Sequence, residues 1–198
     1  MPALADAYLA GGARFLQIRA KRSASGAFLQ MCEQVLASSR RAGATVIVND
    51  RADIATLSHA DGVHLGQDDL DPADARRILG GFATIGLSTH SLDQARAAAR
   101  APINYVAVGP VFGTSSKATG YNAVGTALVS DVREMLDKEG MDLPIVAIGG
   151  ITLERAPDVI RAGAASVAII SDLLSGGDPA VRVREFLKAL DGARTREQ

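Results

Sequence analysis

Cysteine occurs once and tryptophan not at all in this 198-residue chain, and aromatic residues make up only 4% of it. A lone Cys32 cannot pair within the chain, which argues against a secreted disulfide scaffold and for a reducing compartment. Scarce aromatics leave little material for base-stacking platforms. Neither charge is in excess: 21 Lys and Arg face 22 Asp and Glu, a net charge of −1, so a broad nucleic-acid-binding face is not expected. Apolar runs such as Tyr-Val-Ala-Val and Ile-Val-Ala-Ile are far too short to cross a bilayer. No basic segment followed by an apolar stretch opens the chain, so no secretory signal is read there. The expectation is a soluble, cytoplasmic protein whose partners are small molecules, not nucleic acid or membrane. A homo-oligomer is compatible with all of this. Three motifs are also missing: GxGxxG after a strand, GxxxxGK[ST], and GxSxG. Dinucleotide, P-loop nucleotide and serine-hydrolase chemistry lose their usual signatures.

What is present is a series of short, β-branched, nearly continuous apolar segments: Phe15 to Ile18, Thr45 to Val48, Gly62 to Leu65, Ala83 to Leu87, Tyr105 to Val108, Ile145 to Ile148 and Val167 to Ile170. Runs of this kind read as strands buried on both faces, hence a parallel sheet covered by helices. Helical stretches lie between them. Phe28, Met31, Cys32, Val35 and Leu36 share one face, and Asp71-Pro72 and Ser91 are helix starts. One domain over residues 1–198 is expected. The last helix should run from Pro179 to Leu190, leaving 191–198 as a frayed tail. Repeated strand–helix units leave a closed (β/α)₈ barrel or an open doubly wound sheet. Seven strands are counted, and the chain opens on a helix, Ala3 to Ala10. A barrel would therefore lack its first strand at the N-terminus and leave edges beside Phe-Leu-Gln-Ile and Ser-Val-Ala-Ile-Ile.

In either architecture a site would form at the C-terminal ends of the strands, where polar residues gather. Alternation sends Gln17, Arg19 and Lys21 to one side; on a surface strand they would be harmless, but beside a buried strand two cations must be paired or meet an anionic ligand. The next two strands end in Asn49-Asp50 and in Gly66-Gln67-Asp68-Asp69. Asp50 and Asp69 can share a Mg²⁺ with substrate oxygens; alternatively Asp68, Asp69 and Asp71 merely cap the following helix. Ser88 and Thr89 either bind ligand or cap. Thr114, Ser115, Ser116 and Lys117 either donate to phosphate or belong to a surface loop of small residues. Gly149-Gly150 and Ser171 close two successive strands, where barrels of this type often bind phosphate.

The strings QIRAK, VNDR, GVHLGQDDL, IGLSTH, VGPVFGTSSK, AIGGI and IIS stand in one order from about Gly11 to Leu174. Together they resemble the thiamine phosphate synthase family, α/β enzymes with a (β/α)₈ TIM barrel. The resemblance implies a transferase that joins 4-amino-2-methyl-5-(diphosphooxymethyl)pyrimidine to thiazole phosphate, giving thiamine phosphate and diphosphate. By that resemblance Gln17, Ile18, Arg19, Ala20, Lys21, Asn49, Ser88 and Lys117 hold the pyrimidine diphosphate. Thr114, Ser115, Ser116, Gly150, Ile170 and Ser171 hold the thiazole phosphate, and Asp50 and Asp69 hold Mg²⁺. Arg19, Lys21, Ser88 and Lys117 are the catalytic candidates, because negative charge grows on the departing diphosphate in a dissociative substitution. Two other readings rank lower. A thiazole tautomerase of the same superfamily carries His where this chain has Pro110, and a non-catalytic phosphate-ligand binding protein would need an effector surface.

Overall fold

Strand and helix alternate along the chain. The structure, a computed structural model, describes residues 1–113 and 121–195. In order the elements are α1 (Pro2–Ala10), β1 (Phe15–Ile18), α2 (Ser25–Arg41), β2 (Thr45–Asn49), α3 (Ala52–Ser58), β3 (Gly62–Leu65), α4 (Pro72–Leu79) and β4 (Thr84–Thr89). There follow α5 (Leu92–Ala99), β5 (Tyr105–Val108), α6 (Gly125–Lys138), β6 (Ile145–Ile148), α7 (Ala156–Arg161), β7 (Ser166–Ala168), a 3₁₀ turn (Asp172–Leu174) and α8 (Pro179–Arg194).

All seven strands form one sheet in the order β1 to β7, each pairing in parallel with its neighbours in sequence. Among the described residues β1 and β7 each have a single neighbour, so both outer edges are open, as the strand count predicts. The sheet nevertheless curls as in a barrel. Phe15 on β1 meets Tyr105 on β5 edge-on across the interior, with ring centroids 5.8 Å apart. Among the described residues this is a TIM-barrel-like α/β fold built on seven strands.

Alternation along each strand divides the apolar side chains between two cores. Val46, Val48, Val63, Leu65, Ile85, Val106, Val108 and Ile145 face the helices and meet Leu36, Val132 and Leu136 there. Each such fully buried side chain contributes about 1.5–3 kcal/mol. Ile47, Tyr105 and Ala107, with Val146 and Ile148, fill the barrel interior. That double burial is why the strands read as unbroken apolar runs.

Helix starts follow their sequence signals. The Asp71 carboxylate accepts from Ala73 N at 2.8 Å ahead of Pro72, and Ser91 Oγ accepts from Gln94 N at 3.2 Å. Asp71 therefore caps and Asp69 does not.

Several boundaries differ from expectation: β2 runs on to Asn49, and β4 spans Thr84–Thr89 where Ala83 to Leu87 is expected. The last strand ends at Ala168 instead of Ile170, because its β6 partner turns away at Gly149 and Gly150, both at positive φ, and leaves no backbone to pair with. The last helix continues through Arg194, so 191–194 are helical and not frayed. Ala193 is buried there, and Arg194 donates to Ala165 O. No helix among the described residues is long and apolar enough to cross a membrane.

Candidate active site

Inward-facing residues at the upper ends of the strands line one cleft of about 820 Å³, its open mouth included. Gln17, Arg19, Asn49, His64 and Ser88 form its polar wall, coming from β1 to β4 and the residues just beyond. Pro110, Ile148, Ile151, Ala168 and Ile170 form the opposite, mostly apolar wall, with Gly150 and Ser171 at its rim.

The polar wall carries unspent hydrogen-bonding capacity. Arg19 Nε is buried with no hydrogen-bond partner among the described residues. An unsatisfied guanidinium N–H in such a place is costly unless a ligand accepts from it. Ser88 is 1% exposed, and its Oγ lies 2.8 Å from His64 Nε2. Neither Ser88 nor Thr89 caps the next helix, since Ser91 does so; Thr89 Oγ1 instead donates to Ala107 O at 3.0 Å. The Gln67 amide donates to Ser88 O at 2.7 Å and ties the loop after β3 to the end of β4.

Beside this wall lies a cluster of charge. Asp50 takes the left-handed conformation, φ 65°, which turns its side chain away from the strand direction. Its Oδ2 pairs with Lys21 Nζ at 2.9 Å. Asp69 Oδ2 accepts from Gly66 N at 2.7 Å, and the Asp50 and Asp69 carboxyls lie close enough to perturb each other. Burial, then that contact with Asp50, holds the Asp69 carboxyl above the usual carboxylate range, against the pull of Gly66 N–H and Lys21. Two acids placed this close repel unless a proton or cation sits with them. Among the described residues no third His, Cys, Asp or Glu completes a cage around them. A hard divalent cation shared by two carboxylates and substrate oxygens fits this donor set.

On the apolar side, Gly150 is needed for close approach. At φ 63° it sits where a Cβ would lie 2.5 Å from Gly113 O. Asp172 Oδ2 accepts from Leu153 N at 3.1 Å and pairs with Arg182 at 2.7 Å, joining the loop after β6 to the segment after β7. The Arg155 guanidinium lies 4.7 Å from the centre of the Phe112 ring. His90 stacks on Tyr121 with centroids 3.6 Å apart.

Of the residues singled out in the sequence, Gln17, Arg19, Asn49, Ser88, Gly150, Ile170 and Ser171 meet around the cleft, with Lys21, Asp50 and Asp69 clustered together. The Ile18 and Ala20 side chains do not line it. Alternation turns Ile18 into the helix-side core, and Ala20 packs against that core. Thr114, Ser115, Ser116 and Lys117 lie outside the described residues. The sequence offers no Cys or His at metal spacing to His64 and so gives it no role, and it gives none to His90 or Tyr105. The sheet pairing places two of them: His64 is in the inward register with Asn49, and Tyr105 stands opposite Gly86.

The chain matches a family model described as thiamine monophosphate synthase over residues 1–173. It is 40% identical over 189 residues to a thiamine-phosphate synthase of Chlorobium luteolum, covering 96% of this chain and 87% of that protein. A thiamine-phosphate synthase of Anaeromyxobacter dehalogenans is 41% identical over 192 residues, covering 97% and 84%. Among solved structures, a thiamine phosphate pyrophosphorylase from Pyrococcus furiosus superimposes with a TM-score of 0.87 at 28% identity, covering 97% of this chain and 90% of that one.

Proposed function

Because this chain belongs to the thiamine monophosphate synthase family, we infer that it is the transferase that makes thiamine phosphate from a pyrimidine diphosphate and a thiazole phosphate. In the reaction the bond from the pyrimidine methylene carbon to the diphosphate oxygen breaks, and the electron pair leaves with diphosphate. The thiazole nitrogen supplies the pair for the new C–N bond. No enzyme nucleophile is needed, and the described side chains around the cleft are suited to binding and charge stabilisation.

The observation that carries this reading is the unpartnered buried Arg19 Nε on the same wall as Ser88. Arg19, with Gln17, Asn49 and Ser88, would take the diphosphate oxygens. Lys21 adds positive charge nearby, and Lys117 is assigned the same role by its match to the family's motif. As negative charge builds on the leaving diphosphate, contacts from fixed cations strengthen, so they lower the barrier more than they tighten substrate binding. Asp50 and Asp69 would hold Mg²⁺, which when bound neutralises diphosphate charge. The apolar wall of Pro110, Ile148, Ala168 and Ile170 keeps water from the electron-poor methylene. Gly150 and Ser171, with Thr114, Ser115 and Ser116, are assigned to the thiazole phosphate.

The test is incubation with both substrates and Mg²⁺, followed by chromatographic detection of thiamine phosphate. Binding of both halves with no product would overturn the reading.

A further inference from the structure

Three buried side chains form a hydrogen-bonded line ending at the cleft. Tyr105 Oη lies 2.8 Å from His64 Nδ1, and His64 Nε2 lies 2.8 Å from Ser88 Oγ. Tyr105 is 5% exposed and His64 6%. The line is packed into place as well as hydrogen-bonded. The Tyr105 ring lies over Gly86, where a Cβ would come within 1.9 Å of its Cζ, and Phe15 meets it edge-on.

The proton order along the line follows from what each group can do. Burial pushes the Tyr105 phenol well above its ordinary range, so it stays protonated. Its O–H has an acceptor at His64 Nδ1, and a buried hydroxyl proton left without one is costly. With Nδ1 accepting, a neutral imidazole carries its proton on Nε2 and donates it to Ser88 Oγ. Ser88 Oγ then accepts from the ring, and its own proton is free to point into the cleft that Arg19 and Asn49 also line. The opposite order would have Ser88 donate to His64 and leave Tyr105 needing another acceptor.

We propose that Tyr105 and His64 are positioning residues that fix Ser88 as a hydrogen-bond donor toward an anionic ligand oxygen. The proposal rests on the diphosphate reading of the cleft for the identity of that ligand, but the order of the line does not depend on it.

The test has two arms. In the first, ¹⁵N-histidine-labelled protein is examined by NMR near neutral pH without ligand, with the His64 resonances among the three histidines assigned through His64→Gln. A neutral ring protonated on Nε2 is expected in the parent protein. Tyr105→Phe, which keeps the ring packing, should move both nitrogens toward a mixture of tautomers. Gly86→Ala, which forces the Tyr105 ring off its seat, should do the same, with circular dichroism reporting that the fold persists. In the second arm, calorimetry with inorganic diphosphate and Mg²⁺ should show about tenfold weaker binding for Tyr105→Phe, the scale of one charge-assisted hydrogen bond. Ser88→Ala should lose at least as much, and the double variant no more than Ser88→Ala alone.

A ring protonated on Nδ1 in the parent protein would overturn the proposal, as would Tyr105→Phe spectra unchanged from it. Additive losses in the double variant would overturn the coupling of Tyr105 to Ser88. Unchanged diphosphate affinity in Ser88→Ala, with the NMR result as expected, would overturn only the ligand end and with it the diphosphate reading of Ser88.

Discussion

Replacing Asp172 by Ala should loosen the two loops on the side of the cleft proposed for thiazole phosphate while leaving the side proposed for the pyrimidine diphosphate intact. Asp172 is 14% exposed and Arg182 15% in their side chains, so neither charge is fully solvated. The change removes two contacts to one carboxylate oxygen, from Leu153 N at 3.1 Å and from Arg182 at 2.7 Å. Hydrogen bonds to a charged partner contribute roughly 1.5–3 kcal/mol each when buried. Arg182 keeps its pairing with Glu185 at 2.9 Å, and solvent is close, so the net loss is set at about 2–3 kcal/mol. For a domain of this size that corresponds to a fall in Tm of about 4–12 °C. Asp172→Asn keeps one acceptor oxygen and should lose about half as much. Differential scanning calorimetry measures the stability, and steady-state kinetics with each substrate varied in turn measures the site. The expected pattern is a raised KM for thiazole phosphate with little change for the pyrimidine diphosphate. A melting temperature equal to the parent's would refute the energetic argument. Equal rises in both KM values would refute the division of the cleft into two sides.

Asp50→Ala and Asp69→Ala should nearly abolish turnover while Asp68→Ala does much less; equal damage from Asp68→Ala in a steady-state assay would sink the Mg²⁺ assignment. Asp69→Asn is expected to melt above the parent at pH 7 without divalent cation. The folded-state pKa of Asp69 is raised, so its ionisation lowers stability as pH climbs from the ordinary carboxylate range through that higher value, and the advantage of Asn should vanish in acid. A melting curve at pH 7 no higher than the parent's would count against the repulsion between Asp50 and Asp69. Lys117→Ala should lower kcat by about tenfold to a hundredfold, the effect of one charge-assisted contact to a desolvated anion; a raised KM with unchanged kcat would mean uniform binding instead. Cys32 is fully buried and its thiol is pushed up to about 11, so a thiol reagent should leave the native protein unlabelled at pH 8 and titrate one thiol in denaturant.

The fold was legible because each strand is buried on both faces. Val46 to Val48 or Tyr105 to Val108 present an unbroken apolar run, and that pattern has few architectural solutions. Strand ends were less legible wherever the partner strand decided them. β4 continues to Thr89 because Val108 is there to pair with it, and β7 stops at Ala168 because β6 bends away at Gly149. The site shows the same division. Arg19, Asn49 and Asp50 declare themselves, since charge and amide groups at the end of an apolar strand need a reason to be there. Asp69 was separable from its neighbours Asp68 and Asp71 by spacing alone only as one of two readings. Its geometry removes the capping reading: Asp71 accepts from Ala73 N, while Asp69 turns back to Gly66 N and lies beside Asp50.

Tyr105 and His64 were hidden for a different reason. A tyrosine opening an apolar strand is an ordinary core residue until the inter-strand register is known. That register carries Tyr105 over Gly86 and brings its hydroxyl to a histidine 41 residues earlier. A polar group's role depends on what faces it across the barrel, and strand spacing along the sequence carries that information only after the sheet order and pairing are fixed. Gly86, two residues before Ser88 on the same face of β4, is the sequence mark of this packing, since the Tyr105 ring occupies the space where any larger side chain would begin.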